Sequence, residues 1–187
     1  MTIEITSWRD QGVLWSGEAA DLRDAVIQAV ASRASLDRAR LDGASLVRAR
    51  LDRARLDGAS LVGARLVGAR LVGASLVRAR LDGARLVGAS LVRARLDGAR
   101  LDGARLPDGR TWDAYRADPL AGLCDTPEVR ARAIAAWGAH TWQDCPMHAA
   151  YGWIGINDVP EDKQIAVAAF VALFDAGLLP RPEPSNA

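Results

Sequence analysis

The sequence predicts a β-solenoid, and three observations carry that prediction. From Ala34 to Leu106 one five-residue unit, Ala-x-Leu-x-x, recurs fifteen times without insertion, so that Ala falls at every fifth position from 34 to 104. A period of five excludes an α-helix, because at roughly 100° per residue each Leu would stand about 140° from the last and no face could stay buried. In an extended chain, by contrast, Ala and Leu two positions apart face one side and the residue between them faces the other. Gly closes nine units, at 43, 58, 63, 68, 73, 83, 88, 98 and 103. There the chain must turn and freedom to take positive φ is useful. A short strand and a turn, repeated, make a solenoid.

A solenoid end exposes an open core and unpaired backbone, so it needs a cover. Residues 1–33 supply one. Ile3 and Ile5 alternate with polar residues, Asp10-Gln11-Gly12 is a turn signal, and Val13-Leu14-Trp15 returns as a second strand. After Ser16-Gly17, the residues Leu22, Ala25, Val26, Ala29 and Val30 keep helical spacing and predict a capping helix. Ala20-Asp-Leu-Arg-Asp24 also fits the repeat pattern, but the helical stripe outweighs one isolated unit.

Units such as Ala39-Arg-Leu-Asp-Gly43 and Ala59-Ser-Leu-Val-Gly63 resemble the pentapeptide-repeat family, whose pattern is Ala, usually Asp or Asn, Leu and two variable residues. The resemblance implies a right-handed quadrilateral β-helix over residues 34–110. In it four units make one square coil, with Leu at the centre of each side and Ala near the corner. Here the usual Asp or Asn is replaced by Arg in ten units and by Ser in five.

Residues 107–187 change character, with Trp, Pro, His and Cys entering, and residues 111–187 are predicted to form a small α-helical C-terminal module of no assigned family. Thr126-Pro127-Glu128 starts a helix running to about Trp137. A second lies within 141–152. A third begins near Pro160, carries Ile165, Ala168, Ala169, Leu173 and Phe174, and ends at Gly177. The longest apolar run, Ile165 to Phe174, is too short to span a bilayer, and Met1 to Trp8 lacks the regions of a signal peptide, so a cytoplasmic protein is expected.

The residue types nearest to a chemical site are Cys124, His140, Cys145 and His148. Four such side chains could close a zinc tetrahedron, although their spacing matches no usual finger or ribbon. A Cys145–His148 nucleophile pair lacks an orienting residue and an oxyanion loop. The competing reading packs Cys145 inside as a small hydrophobe and leaves the histidines as caps or surface groups. No phosphate loop, paired-carboxylate cluster or nucleotide motif occurs, so no cofactor and no enzyme activity are expected.

Charge is distributed unevenly behind a total of +1. Residues 34–110 hold sixteen Arg and eight Asp, a net +8, whereas the first 33 residues net −2 and the last 77 net −5. If four units make a coil, units four apart stack, and the repeat unwraps into faces. The faces beginning at Ala34 and Ala39 nearly neutralise themselves. The face beginning at Ala44 carries Arg48, Arg65, Arg85 and Arg105 against Asp108, and the next carries Arg50, Arg53, Arg70 and Arg93 against Asp52. Val47, Val67, Val87, Val72 and Val92 point outward on the same two faces. Arg40 has Asp42 two residues along its own strand as local relief, and such relief is missing around Arg65, Arg70 and Arg85. Arg48, Arg65, Arg70, Arg85 and Arg105 with these five Val residues form the candidate binding strip, with a solvated charged face as the alternative.

The leading function class is a non-enzymatic scaffold that docks a protein partner through the solenoid or presents the C-terminal module, as a monomer or homodimer. Regulation of a type II DNA topoisomerase such as DNA gyrase is what the family resemblance implies, through mimicry of duplex DNA. That mimicry needs an acidic surface, and this rod is basic. Direct, non-specific nucleic-acid binding through the arginines is a third class, though aromatics and Lys clusters are lacking.

Overall fold

The computed structural model describes residues 1–137, 146–153 and 156–182, with the side chains of His148 and Ala149 outside that description. Across the repeat, parallel backbone bridges join residues twenty apart, from Ser35 with Arg55 to Arg85 with Arg105. Twenty residues are four units, so each coil has four faces. The first face begins at Ala34, Ala54, Ala74 and Ala94, and the second, third and fourth follow at five-residue steps.

One bonding rule serves every face. The Leu amide donates to the second-position carbonyl of the next coil (Leu66 to Arg85, 2.7 Å), and the second-position amide donates back to Ala (Arg85 to Ala64, 2.9 Å). Inside, each repeat Leu and Ala from Leu36 to Leu106 is at most 7% exposed. Every such Leu contributes about 1.5–3 kcal/mol by burial.

The corners are turns in which the Ala amide donates to the Leu carbonyl three residues back, as Ala64 does to Leu61 at 3.0 Å. The residue before Ala then takes positive φ, as a type II turn requires. Gly63 does so at 67°. The same left-handed geometry is imposed on Arg38, Arg48, Arg53, Arg78 and Arg93, at φ between 55° and 63°.

At the fourth position the ladder leaves an amide without a backbone acceptor, and in the first coils an Asp one coil earlier fills the gap. Asp42 accepts from the Val62 amide at 3.2 Å, Asp52 from Val72 at 3.3 Å and Asp57 from Val77 at 3.1 Å. The same carboxylates take a hydroxyl from the next coil, Ser60 donating to Asp42 and Ser75 to Asp57.

A longer period overlies the short one. From Ala44 to Gly103 the chain is four blocks of fifteen residues, each an Ala-Ser-Leu-Val unit followed by two Ala-Arg-Leu units. Fifteen is five short of a coil, so Ser45, Ser60, Ser75 and Ser90 step back one face at a time, from the third to the second, first and fourth.

At the N-terminus, β1 (Thr2–Thr6) pairs antiparallel with β2 (Val13–Glu18), with Ile5 opposite Trp15 and a register shift between Ile5 and Thr6. Trp15 lies across Gly17, where a Cβ would meet the indole at 2.6 Å. The helix α1 (Leu22–Ala31) is capped by Asp21, whose carboxylate accepts the Asp24 amide at 2.7 Å, and buries Ala25, Val26 and Ala29. That helix overturns the alternative of a repeat unit at 20–24. The hairpin joins the solenoid ladder: the Thr6 carbonyl accepts the Arg40 amide at 2.8 Å, the part that Ala39 plays for Ser60 one coil later. Arg23 donates its Nε to the Val47 carbonyl at 2.9 Å, an atom that in inner coils takes an amide from the coil before.

Beyond the last coil the chain doubles back, with the Leu106 amide on the Arg110 carbonyl at 2.8 Å and the Trp112 amide on Ala104 at 2.9 Å. Among the described residues four helices follow: α2 (Trp112–Ala117), α3 (Pro127–Ala135), α4 (Pro146–Tyr151) and α5 (Gln164–Asp175), with a 3-10 turn at Ile156–Asp158. Sequence reasoning gives three of these, misses α2, and starts α5 early, because turns occupy the residues after Pro160. Trp137 meets Phe170 and Phe174 edge-on at 5.8 and 5.3 Å. The last coil's leucines, Leu91, Leu96, Leu101 and Leu106, are at most 3% exposed and belong to one core that continues into the module. No helix among the described residues is long and apolar enough to cross a membrane.

Candidate functional site

The third face presents three parallel columns, because side chains at one unit position stack coil upon coil. The second position gives Ser45, Arg65, Arg85 and Arg105, with Arg65 bridged to Arg85 and Arg85 to Arg105 through the backbone. The fourth position gives Val47, Val67 and Val87, all half-buried, followed by buried Pro107. On one side lies a corner of glycines alone, Gly43, Gly63, Gly83 and Gly103, and on the other stand Arg48, Gly68, Gly88 and Asp108. Arg65, Arg85 and Arg105 are exposed, and none forms an ion pair among the described residues.

Four of the repeat arginines on the other faces, Arg55, Arg70, Arg95 and Arg100, find acids among the described residues, three of them by a route the sequence does not display. The partner lies eighteen residues earlier, one coil below. Arg55 reaches Asp37 at 3.0 Å, Arg70 reaches Asp52 at 3.2 Å and Arg100 approaches Asp82 at 3.5 Å. This corrects the expectation that Arg70 is uncompensated, since its relief comes from the neighbouring coil. The fourth face, with Val72 and Val92, has the same formal charge as the third, but one of its strand arginines is paired. Within-unit pairing, expected for Arg40 and Asp42, is seen instead at Arg95–Asp97 (3.6 Å) and Arg100–Asp102 (3.8 Å). Asp42 serves Ser60. On the third face the positions eighteen back from Arg65, Arg85 and Arg105 are Val47, Val67 and Val87, so no acid lies beneath them, and the Asp108 of this face is held by Arg110 and Tyr115.

Sequence reasoning also misses the conformation of the corner arginines. Their stems lie across the next coil: a Cβ built on Gly68 would stand 3.3 Å from the Cγ of Arg48, and one on Gly58 3.5 Å from that of Arg38. The signal was available, since each repeat corner Arg at 38, 48, 53 and 78 has Gly twenty residues later.

The C-terminal module holds a polar cluster of its own. Tyr115 is fully buried, donates to Asp108 at 2.9 Å and lies 3.7 Å beneath the Arg110 guanidinium. Burial raises its phenol pKa well above the ordinary value. Arg110 binds Asp108 at 2.7 Å and the Asp118 carbonyl at 3.2 Å, which ties the doubled-back segment to α2. Of the zinc candidates, Cys124 is a half-buried free thiol whose pKa burial pushes up to about 11. His140, Cys145 and the His148 side chain lie outside the described residues. Among the described residues no three His, Cys, Asp or Glu side chains are grouped to hold a metal.

The family model for pentapeptide repeats (8 copies) matches residues 34–73 and 74–108. Among solved structures, a pentapeptide repeat protein from Nostoc Pcc 7120 is 37% identical over 43% of this chain and 72% of its own, with a TM-score of 0.40. One from the cyanobacterium Cyanothece 51142 is 38% identical over 35% of this chain and 41% of its own, with a TM-score of 0.25. A third, from the Arabidopsis thaliana thylakoid lumen, is 25% identical over 49% of this chain and 75% of its own, with a TM-score of 0.33. No curated protein matches the chain.

Proposed function

The chain belongs to the pentapeptide repeat family, with its right-handed β-helix, and from that premise we propose that it is a non-enzymatic interaction scaffold whose third face docks an acidic protein partner. One observation carries the reading: Arg65, Arg85 and Arg105 form an exposed column on a face with no strand acid. Stacked like charges repel. A face that keeps them uncompensated is suited to an anionic ligand, and the adjoining Val column supplies apolar contact that a partner protein can use. The two terminal modules act as covers that keep the rod from growing or aggregating. A reducing, cytoplasmic setting is part of the proposal and suits the free Cys124 thiol.

DNA mimicry toward a topoisomerase is less well supported, because the third face is basic where mimicry needs acid. The test is affinity capture from the native host with the triple variant Arg65→Ser, Arg85→Ser and Arg105→Ser. Ser already occupies this unit position at 45, 60, 75 and 90, so the fold tolerates it. Loss of the partner is expected, with retention by the control Arg55→Ser, Arg95→Ser and Arg100→Ser, whose arginines have acids of their own. Equal capture by both variants, or bound material that nuclease removes, would overturn the proposal.

A further inference from the structure

The columns of the third face also limit the shape of what can lie on them. Neighbouring strands are about 4.8 Å apart, so Arg65, Arg85 and Arg105 rise along the rod at about 0, 4.8 and 9.6 Å. An extended partner strand laid along the rod presents same-side residues at about 6.7 Å steps and is out of register by the second. Duplex DNA brings a phosphate of each strand every 3.4 Å or so of axis, along a path that curves away from a straight column. An α-helix fits better: residues i, i+3 and i+7 share one side at about 0, 4.5 and 10.5 Å. Those heights match the arginines to within about 1 Å, which a flexible side chain absorbs.

The second column fixes which way such a helix must be amphipathic. Val47, Val67 and Val87 run parallel to the arginines two residues along each strand, roughly 6.6 Å away. A cylinder about 10 Å across, lying over the seam, touches both columns. The seam is open along Gly43, Gly63, Gly83 and Gly103 on one side and at Gly88 on the other, where Arg48, its stem across Gly68, and Asp108 border the two ends. Resting on the docking reading above, we infer that the third face receives an amphipathic α-helix of the partner protein, aligned with the rod, its Asp or Glu residues at i, i+3 and i+7 over Arg65, Arg85 and Arg105 and an adjacent apolar stripe on Val47, Val67 and Val87. Three coil steps are about 14 Å, or roughly ten helical residues.

The probe is a labelled peptide of about eighteen residues with Glu and Leu in that helical phase, compared with a permuted peptide of equal composition in which Glu alternates at strand spacing. Fluorescence anisotropy should show the helix-phased peptide binding about tenfold more tightly, with a gain of helical circular dichroism on binding. Arg85→Ser should weaken it about fivefold or more and Val67→Ala measurably, while Arg55→Ser leaves it unchanged. Thermal melts of each variant separate lost binding from lost folding. Equal binding of the two peptides, preference for the strand-phased one, or displacement by an equimolar short DNA duplex would overturn the helix inference. If the third-face serine variant still loses the native partner while the helical peptide fails to bind, the docking face stands and only the helix is wrong.

Discussion

The corner arginines make a quantitative test of where this solenoid stores strain. Arg38, Arg53 and Arg78 take φ of 63°, 59° and 56°, a region in which an L-residue with a Cβ loses about 1–2 kcal/mol. Replacing each by Gly removes that strain. It also gives the unfolded chain more freedom, which takes back about 0.4–1 kcal/mol, and it removes the contact of the arginine stem with the glycine above, worth a few tenths of a kcal/mol. The net is a gain of about 0.5 kcal/mol per corner. The triple variant Arg38→Gly, Arg53→Gly and Arg78→Gly should therefore be about 1–2 kcal/mol more stable. In urea the midpoint should rise with an unchanged slope, and Tm should climb by roughly 4 °C. The reverse exchange calibrates the effect: Gly63→Ala, at φ 67° with nothing within 4 Å of the new Cβ, adds about 1–2 kcal/mol of strain and recovers about 0.4–1 kcal/mol from the stiffer unfolded chain, a net loss of about 0.5–1 kcal/mol. A triple variant no more stable than the parent, beside a destabilised Gly63→Ala, would show that the arginine stems brace the coil above by as much as their backbone strain costs.

Leu71→Ala should destabilise by about 2–5 kcal/mol in the same urea experiment, because Leu71 is completely buried at the middle of the rod. Gly17→Ala should disrupt the hairpin, since its Cβ would stand 2.6 Å from the Trp15 ring; a loss of Trp fluorescence change on unfolding, with a lowered Tm, would report it. Deleting residues 111–187 should uncover Leu91, Leu96, Leu101 and Leu106 and drive association, which light scattering on a size-exclusion column would detect; a monodisperse, equally stable truncation would refute the covering role. The buried Tyr115 phenol has its pKa raised, so the folded state holds its proton longer than the unfolded chain does. Stability from this group is complete below about pH 10 and should fall above it by roughly 1.4 kcal/mol per pH unit, and Tyr115→Phe should make the alkaline slope shallower, leaving the part due to the raised Cys124 and Tyr151.

The strand-and-turn architecture and the inward Ala and Leu are legible because the five-residue period admits one backbone solution. The N-terminal hairpin is legible for a similar reason, since Ile3 and Ile5 alternate and Asp10-Gln11-Gly12 turns. Less could be read wherever the deciding contact is distant in sequence. Arg70 looks isolated within its own unit, and its acid, Asp52, is found only once the coil closes at twenty residues. The helix α2 is six residues long, too short to show a period, and it is held by Tyr115 and Thr111 rather than by an apolar stripe. For the candidate site, the residue types are visible in the sequence. That Arg65, Arg85 and Arg105 share one uninterrupted column, while Arg70 and Arg100 are each neutralised from below, follows from the stacking alone.

The fifteen-residue block set against the twenty-residue coil behaves as a vernier. Inserting or deleting one block preserves the local grammar, every inward Leu and every corner, so the core would close as before. Everything downstream would nevertheless be rotated by three quarters of a turn about the rod. Loss of residues 59–73 would carry Arg85 from the third face to the fourth and swing the C-terminal helices to a new azimuth relative to the hairpin. In such a chain, the number of blocks is a dial for orientation, and a change in gene length becomes a change in which way the two ends face.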